Sequence, residues 1–432
     1  MLSLARPAAR RLPFYYGWVI ATVTGLISFA GVAESPVMVG IFFTPMANEF
    51  GWTRTELSAA VLFGTFMVIP AAPLAGRLID RYGARPVLSI GGTLVAFCLA
   101  LVGSVNSLPA FYALAGFAFA VNAGIARVSI NAVIAQWFVR KRGRAMGIVN
   151  LLLGLGFVAM PAVGALVLDQ AGWRMGWRAL GIATFVMAVP AAVLFLRRAP
   201  GDVGQAIDGE RDGAPPPRAR PGERTAATEV QWTAREAVRT RTFWVLVMGL
   251  CTIALGNLGL AVHLVPLLTD RGVGATVAAL TFSVAGVTMI PSSPIWGWLL
   301  DRYQARLVLV GAASVVLLFT VLAMFAYSAW MVIPLGIAMG IGYGGFGMVQ
   351  RTIYASYFGR ASAGTILGIA VPFQAVAQGS GTVLAGFFFD FFGSYRNVFL
   401  LFIALTALSM AMVYLVPTPV KRRPAAAVSP VG

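Results

Sequence analysis

Long apolar runs separated by short basic links leave this chain few ways to fold. Runs near 14–36, 55–76, 87–105, 109–137, 145–167 and 177–196 fill the first half, and runs near 243–266, 275–299, 307–327, 330–357, 364–389 and 396–416 fill the second. Crossing a hydrocarbon core takes roughly 20 apolar residues as a helix. Backbone facing lipid must satisfy its own hydrogen bonds, so each run is read as a helix. Only 11% of the 432 residues are charged and 59% are hydrophobic, whereas a soluble domain carries about a quarter charged residues. The expected fold is an all-α polytopic membrane protein of twelve helices.

Charge sets the expected orientation. A formal charge of +17 would suit a nucleic-acid binder, but the basic residues sit in the links between runs, as the positive-inside rule requires. With the N-terminus inside, inside segments hold 25 of the 32 Lys and Arg residues; the outside segments hold only Arg54, Arg174, Arg178, Arg271 and Arg396. Trp18, Trp52, Trp137, Trp173, Trp244, Trp298 and Trp330 fall near the ends of runs, where indole prefers the interface. A multi-pass protein of the cytoplasmic (inner) membrane follows, with both termini cytoplasmic and membrane lipid as its surroundings. The basic start, Met1 to Arg11, leads into a run too long for a signal peptide. Cys98 and Cys251 lie inside runs, so neither a disulfide framework nor a cysteine metal site is expected.

One charged stretch occurs twice. Gly76-Arg77-Leu78-Ile79-Asp80-Arg81-Tyr82-Gly83-Ala84-Arg85 has a near copy, Gly297-Trp298-Leu299-Leu300-Asp301-Arg302-Tyr303-Gln304-Ala305-Arg306, 221 residues on. Gly147 and Gly368, Asp169 and Asp390, and Gly172 and Gly393 keep the same offset. The chain is therefore divided into a tail (1–13), a six-helix bundle (14–196), a linker (197–241), a second six-helix bundle (242–417) and a tail (418–432). The linker carries Pro215-Pro216-Pro217 among Arg, Gly, Asp and Glu, a composition that cannot bury enough apolar surface to fold alone. Trp232 to Arg241 is read as a short amphipathic surface helix. Parallel repeats of this kind place a substrate site near the midplane, between the halves.

The doubled stretch resembles the loop motif of the major facilitator superfamily, and the resemblance covers the whole chain. Tyr16-Gly17-Trp18-Val19, Phe50-Gly51-Trp52-Thr53-Arg54, His263-Leu264-Val265-Pro266-Leu267-Leu268 and Tyr357-Phe358-Gly359-Arg360 are similar to stretches of its monocarboxylate transporter and oxalate/formate antiporter branch. The resemblance implies the major facilitator fold, with Gly76, Asp80, Arg81, Gly83, Arg85, Gly297, Asp301, Arg302 and Arg306 as a conformational hinge. It further implies that Asp80 approaches the N-terminus of the eleventh helix and Asp301 that of the fifth, where helix dipoles favour a carboxylate. Two positions depart from the branch. The lysine of animal relatives, before the match at Gly40-Ile41-Phe42-Phe43, is replaced by Val37, and the eighth-helix arginine by Ser293. A simple monocarboxylate substrate does not follow from the resemblance alone.

Ionisable side chains at membrane depth are costly, and each is a functional candidate. Arg127 lies about ten residues before Trp137, or roughly 15 Å from the interface at helical rise. It is read as holding a substrate or carboxylate partner, the alternative being a tie to a neighbouring helix; Asn131 shares its face at i+4. Arg351 either snorkels to the rim or lines a pocket wall with Tyr343, Gly347 and Tyr354 on one helical face. Glu34, near the outer end of the first run, is a candidate for a coupling proton or for pairing with an arginine. His263, the single histidine, is a proton switch or a hydrogen-bonded residue of the outer gate. Gly156-x-x-x-Met160-Pro161-x-x-Gly164 partly resembles an antiporter motif, although small residues also serve close helix packing. No HExxH, Walker loop or His/Cys ligand cluster occurs, so neither an enzyme nor a cofactor is expected. The leading expectation is a secondary transporter of a small carboxylate-like anion, proton-coupled or exchanging. An efflux transporter for hydrophobic compounds and a receptor without transport are the alternatives.

Overall fold

Helix ends in this chain are set by glycine and by capping hydroxyls. A computed structural model describes residues 14–209, 232–359 and 362–416, the side chain of Arg351 lying outside the described residues. The first half contains α1 (Gly17–Phe50), α2 (Arg54–Tyr82), α3 (Ala84–Val102) and α4 (Leu108–Trp137), then α5 (142–171) and α6 (173–195). The second contains α7 (Arg241–Asp270), α8 (Ala275–Arg302), α9 (Ala305–Met324), α10 (Val332–Phe358), α11 (Ala363–Phe392) and α12 (Arg396–Leu415). Gly172 and Gly393, equivalent in the two halves, both take positive φ, +79° and +64°. So do Gly51 and Gly272, at +69° and +83°. Left-handed backbone is open to glycine at little steric cost, which makes these turns sharp enough to send the chain straight back. Thr53 caps α2 in a reciprocal box with Glu56.

Three sequence expectations need correction. The first helix does not end near residue 36 but continues to Phe50, broken at a tight 3-10 turn over Gly31–Glu34 followed by extended Ser35. Pro36 disfavours helix in the residue before it and is well placed to start a new segment, so a mid-helix break looks like an end. Glu34 accordingly lies halfway along α1 rather than near its outer end. The fifth and sixth helices are separated only by Gly172. Finally, part of the 197–241 linker is folded. Pro200–Val203 and Ile207–Gly209 form short helical turns. The buried Asp208 carboxylate accepts hydrogen bonds from the backbone N–H groups of Val139, Arg140 and Lys141 at 2.7–3.1 Å. Ala234–Val238 forms a one-turn helix, with Trp232, Ala234 and Val238 packed on the second-half core. The tails at 1–13 and 418–432 lie outside the described residues, as does 210–231.

The halves meet along α2 with α11, α5 with α8, and α1 with α7. Taking the end that carries Asp80 and Asp301 as the hinge end, these contacts run from the midplane to the opposite, far end. Ser283 donates to the Val158 carbonyl at 2.7 Å, and Thr382 donates to the Ser58 carbonyl at 3.3 Å. A Cβ at Gly40 would run into the Val262 carbonyl, and one at Gly286 into the Gly154 carbonyl. Towards the hinge end the helices part. Added Cβ atoms at Gly76, Gly143, Gly147, Gly364 or Gly368 would meet nothing within 4 Å. The fold is two pseudo-symmetric six-helix bundles, sealed at the far end and parted at the hinge end.

Candidate functional site

α4 is irregular where it matters. Ala120–Ala126 form a π-helical turn before the α-helix resumes at Arg127. Such a turn inserts a residue and rotates the rest of the helix relative to its start, and it recurs at functional sites. Here it faces the break in α1. The Asn122 side-chain amide donates to the Gly31 carbonyl at 2.9 Å and to Glu34 Oε1, so each irregularity satisfies the other's polar groups. A Cβ at Gly31 would collide with that amide.

Glu34 is only 8% exposed, and its second oxygen, Oε2, has no hydrogen-bond partner among the described residues. Glu34 lines a cavity of about 20 Å³ walled by first-half residues, including Val39, Val61, Leu99, Phe119 and Trp177. The indole N–H of Trp177 is likewise buried without a partner among the described residues.

Arg127 and Asn131 are exposed, while Ile130, Val133, Ile134 and Trp137 pack into the first-half core and Val128 and Ala132 against Ala75, Ile79 and Val87. The two polar side chains therefore project from the one face of α4 that its own bundle leaves free. Arg127 makes no hydrogen bond or ion pair among the described residues. The second-half candidates are instead turned into their own bundle. Tyr343 is turned onto α7 and donates to the Asn257 carbonyl at 3.0 Å. Tyr354 is fully buried beside Phe243 and Phe358, its hydroxyl accepting from the Gln374 amide at 3.2 Å. Val37 is buried in the core cluster shared by the two halves, and Ser293 Oγ donates to its own helix at the Met289 carbonyl.

His263 sits in the far-end seal, fully buried. Its Nδ1 lies 2.9 Å from the Tyr395 hydroxyl, and its Nε2 lies 2.9 Å from the Thr382 carbonyl and 3.0 Å from Ser58 Oγ. The carbonyl can only accept, which places the ring hydrogen on Nε2 and makes Nδ1 the acceptor from Tyr395. That hydroxyl in turn accepts from Arg54, whose other amino group pairs with Asp270 at 2.8 Å while the guanidinium stacks 3.7 Å from the Phe389 ring. Asp390 completes the seal by accepting from the backbone N–H groups of Arg54 and Thr55 and from the Thr55 hydroxyl. The equivalent pair in the other repeat, Thr276 and Asp169, is also hydrogen-bonded. Nothing in the sequence pattern singles out Asp390, Arg54 or Tyr395 as a gate; the 221-residue offset of Asp169 and Asp390 is the available signal.

At the hinge end, Asp80 and Asp301 are exposed, and neither carboxylate is hydrogen-bonded among the described residues. Arg81 and Arg302 stack on Tyr82 and Trp298 at 5.2 and 4.6 Å, and Arg306 donates to Gln304. Arg198 donates to the Asp80 backbone carbonyl. Gly83 takes φ +80°, whereas its counterpart Gln304 takes φ −62°, which explains why only the first copy of the motif needs glycine there.

Comparison with known proteins agrees with this geometry. The family model described as Major Facilitator Superfamily matches residues 17–382, with a second match at 256–430. The oxalate:formate antiporter of Oxalobacter formigenes is 26% identical over 283 residues, 64% of this chain and 62% of its own length, so the match spans less than two thirds of that relative. Monocarboxylate transporter 4 of Rattus norvegicus is 25% identical over 396 residues, 89% of this chain and 80% of its own. Among solved structures, a bacterial homolog of the human lysosomal transporter Spinster, in an inward-facing and occupied conformation, superposes with TM-score 0.67 at 15% identity. It covers 93% of this chain and 96% of that one. The nucleoside transporter NupG superposes with TM-score 0.71 at 11% identity, covering 92% and 99%.

Proposed function

The chain belongs to the Major Facilitator Superfamily, and from that premise we propose that it is a secondary transporter of a small carboxylate-like anion working by alternating access. One observation carries the reading: Arg127 stands exposed well inside an apolar helix, unpaired among the described residues, on the face of α4 that its own bundle leaves uncovered. A cation held there without a partner is stabilised by an incoming anion, and its planar fork suits a carboxylate. Asn131, one turn on, adds a neutral donor for the same ligand. Names of the relatives agree, since both the antiporter and the monocarboxylate transporter act on carboxylates. With Val37 and Ser293 unable to clamp an anion, selectivity falls on Arg127 and whatever faces it.

Basic residues concentrate at the hinge end, which the positive-inside rule assigns to the cytoplasm. On that reading the structure is the inward-open state. The test is uptake and counterflow of lactate, oxalate and benzoate by purified protein in liposomes, alongside thermal stabilisation by the same compounds, since a ligand that binds the folded state raises its apparent stability. Arg127→Ala should abolish transport and stabilisation while the protein still inserts and elutes as wild type. Transport undiminished in that variant overturns the assignment. Stabilisation by amphipathic drugs and by none of the carboxylates favours an efflux carrier instead.

A further inference from the structure

The helix faces that join the bundles in the far-end seal continue past the point where the bundles part. On α5, a Cβ at Gly154 would run into Ile290 of α8, and Val158, one turn on, accepts from Ser283. On α11, Gly379 meets Leu62 and Thr65 of α2, and Thr382 donates to the Ser58 carbonyl. Four residues towards the hinge end from Gly154 and from Thr382, the same faces carry Asn150 and Gln378. Further along, added Cβ atoms at Gly147 and Gly368 would meet nothing within 4 Å. The two carboxamides therefore stand where the seal gives way to the opening, one from each half. Both are partly buried, and neither makes a hydrogen bond among the described residues. Other carboxamides are occupied: Asn122 with α1, and Gln350 and Gln374 with each other and with Tyr354. Depth groups the free pair with Arg127. At a rise of roughly 1.5 Å per residue, Asn150 lies about 12 Å in from Arg142, Arg127 about 15 Å from Trp137 and Gln378 about 22 Å from Ala363. Arg127 is the one charged residue of α4, while α5 has none between Arg144 and Asp169 and α11 none before Asp390.

We propose that Asn150 and Gln378 recognise the uncharged oxygens of the substrate, which makes that substrate a hydroxylated monocarboxylate. Its carboxylate sits on Arg127, its nearer hydroxyls on Asn150 and its far end at Gln378. The inference rests on Arg127 holding the carboxylate. A carboxamide offers an acceptor oxygen beside two N–H donors, so it satisfies a hydroxyl in both of its roles. In the open state water serves these amides. Once the hinge end closes, the substrate must take the place of that water, because an amide shut away without a partner is costly. A site built on such hydrogen bonds rejects an analogue lacking the hydroxyls far more strongly than an apolar pocket rejects an added methylene. One cation on these three helices matches one carboxylate; a second would be left at membrane depth without a countercharge. Oxalate fails on both counts, being a dianion and too short to reach from Arg127 to Gln378. Because Asn150 and Gln378 belong to different bundles, a ligand that both hold is bound best when the bundles approach each other.

Gluconate and hexanoate share chain length and charge and differ in their hydroxyls, so titrating the purified full chain with each tests this through thermal stabilisation. Wild type is expected to bind gluconate at least about tenfold more tightly than hexanoate or lactate. Asn150→Leu and Gln378→Met keep the side-chain size and remove the polar atoms. Each should weaken gluconate by about tenfold and leave hexanoate within about twofold of wild type, a split that a merely structural role does not produce. Hexanoate or lactate binding to wild type as tightly as gluconate overturns the proposal and leaves the Arg127 site standing. So does gluconate binding that is unchanged in either variant, or lost in equal measure with hexanoate. Failure of wild type to bind any of gluconate, hexanoate, lactate, oxalate and benzoate overturns the anion site as well. Should the variants fail to insert, the preference of wild type between gluconate and hexanoate decides alone.

Discussion

A Cβ at Gly286 would come within 2.6 Å of the Gly154 carbonyl oxygen, and one at Gly40 within 1.9 Å of the Val262 carbonyl oxygen. Backbones of opposite halves come this close only where one of them lacks a side chain. Gly286→Val should therefore leave each bundle folded but keep α5 and α8 from meeting, holding the far end open. Maleimide labelling of a cysteine placed at Ser283, with Cys98 and Cys251 replaced by serine, should rise about tenfold, the ratio that roughly 1.4 kcal/mol of bias produces; unchanged labelling would show that the far end closes by another route. Individual residues are unevenly legible in the sequence. Arg127 is legible because an arginine ten residues inside an apolar run stands out against its neighbours. Glu34 stands out too, but at the wrong depth, since Ser35-Pro36 reads as a helix end to any argument that sees only local preference. Tyr354 shows the limit of helical-face arguments: it shares a stripe with Tyr343, yet neighbouring α7 covers that stripe, and which face a helix turns to its partners is decided by packing the sequence does not show.

The ends of α5 and α11 each carry an aspartate that bonds the first turn of a helix in the other half, Asp169 to Thr276 on α8 and Asp390 to Arg54 and Thr55 on α2. A carboxylate at a helix N-terminus is favoured by the dipole and by the unpaired N–H groups there, worth about 0.3–1 kcal/mol when exposed and up to roughly 2 in partly buried settings. Asp390→Asn keeps the volume but loses the charge and one acceptor. It should weaken the far-end seal and shift the carrier towards the opposite-facing state by up to about tenfold. Distances between spin labels across the far end would report it as a longer-distance population, and a distribution identical to wild type would remove Asp390 from the gate. The elements themselves are readable because length, hydropathy and glycine turns set them locally. The π-helical turn at Ala120–Ala126 is not, since it exists to meet the break in α1 and has no signature of its own in the residues that form it. The folded start of the linker escapes the sequence for a similar reason. Its composition forbids independent folding, but Asp208 finds the exposed amides of the 139–141 loop and so borrows its structure from the bundle.

Taken as one molecule, the chain repeats a single device at both ends. At the far end, aspartates of α5 and α11 dock on the helices opposite and the halves are joined; at the hinge end, Asp80 and Asp301 stand free and the halves are apart. Alternating access needs these two sets of contacts to be mutually exclusive, because a bundle rocking on the midplane closes one end as it opens the other. On the proposed rocking cycle, Asp80 would stabilise only the state not seen here, by docking on the N-terminus of α11. Since the Asp80 carboxylate makes no hydrogen bond among the described residues in the present state, Asp80→Asn should cost this state nothing and enrich it, shifting the equilibrium in the direction opposite to Asp390→Asn and by a similar factor, about tenfold at most. The two aspartates sit at opposite ends of the molecule and share no partners, so their effects should add. The double variant is therefore expected to return the distribution of states towards wild type while lowering the barrier between them, because both docked states have lost a contact. Spin-label distances measured at both ends of the four proteins decide the matter: if the double variant resembles either single variant instead, the two ends are not halves of one lock, and the repeated motif has a role unrelated to rocking.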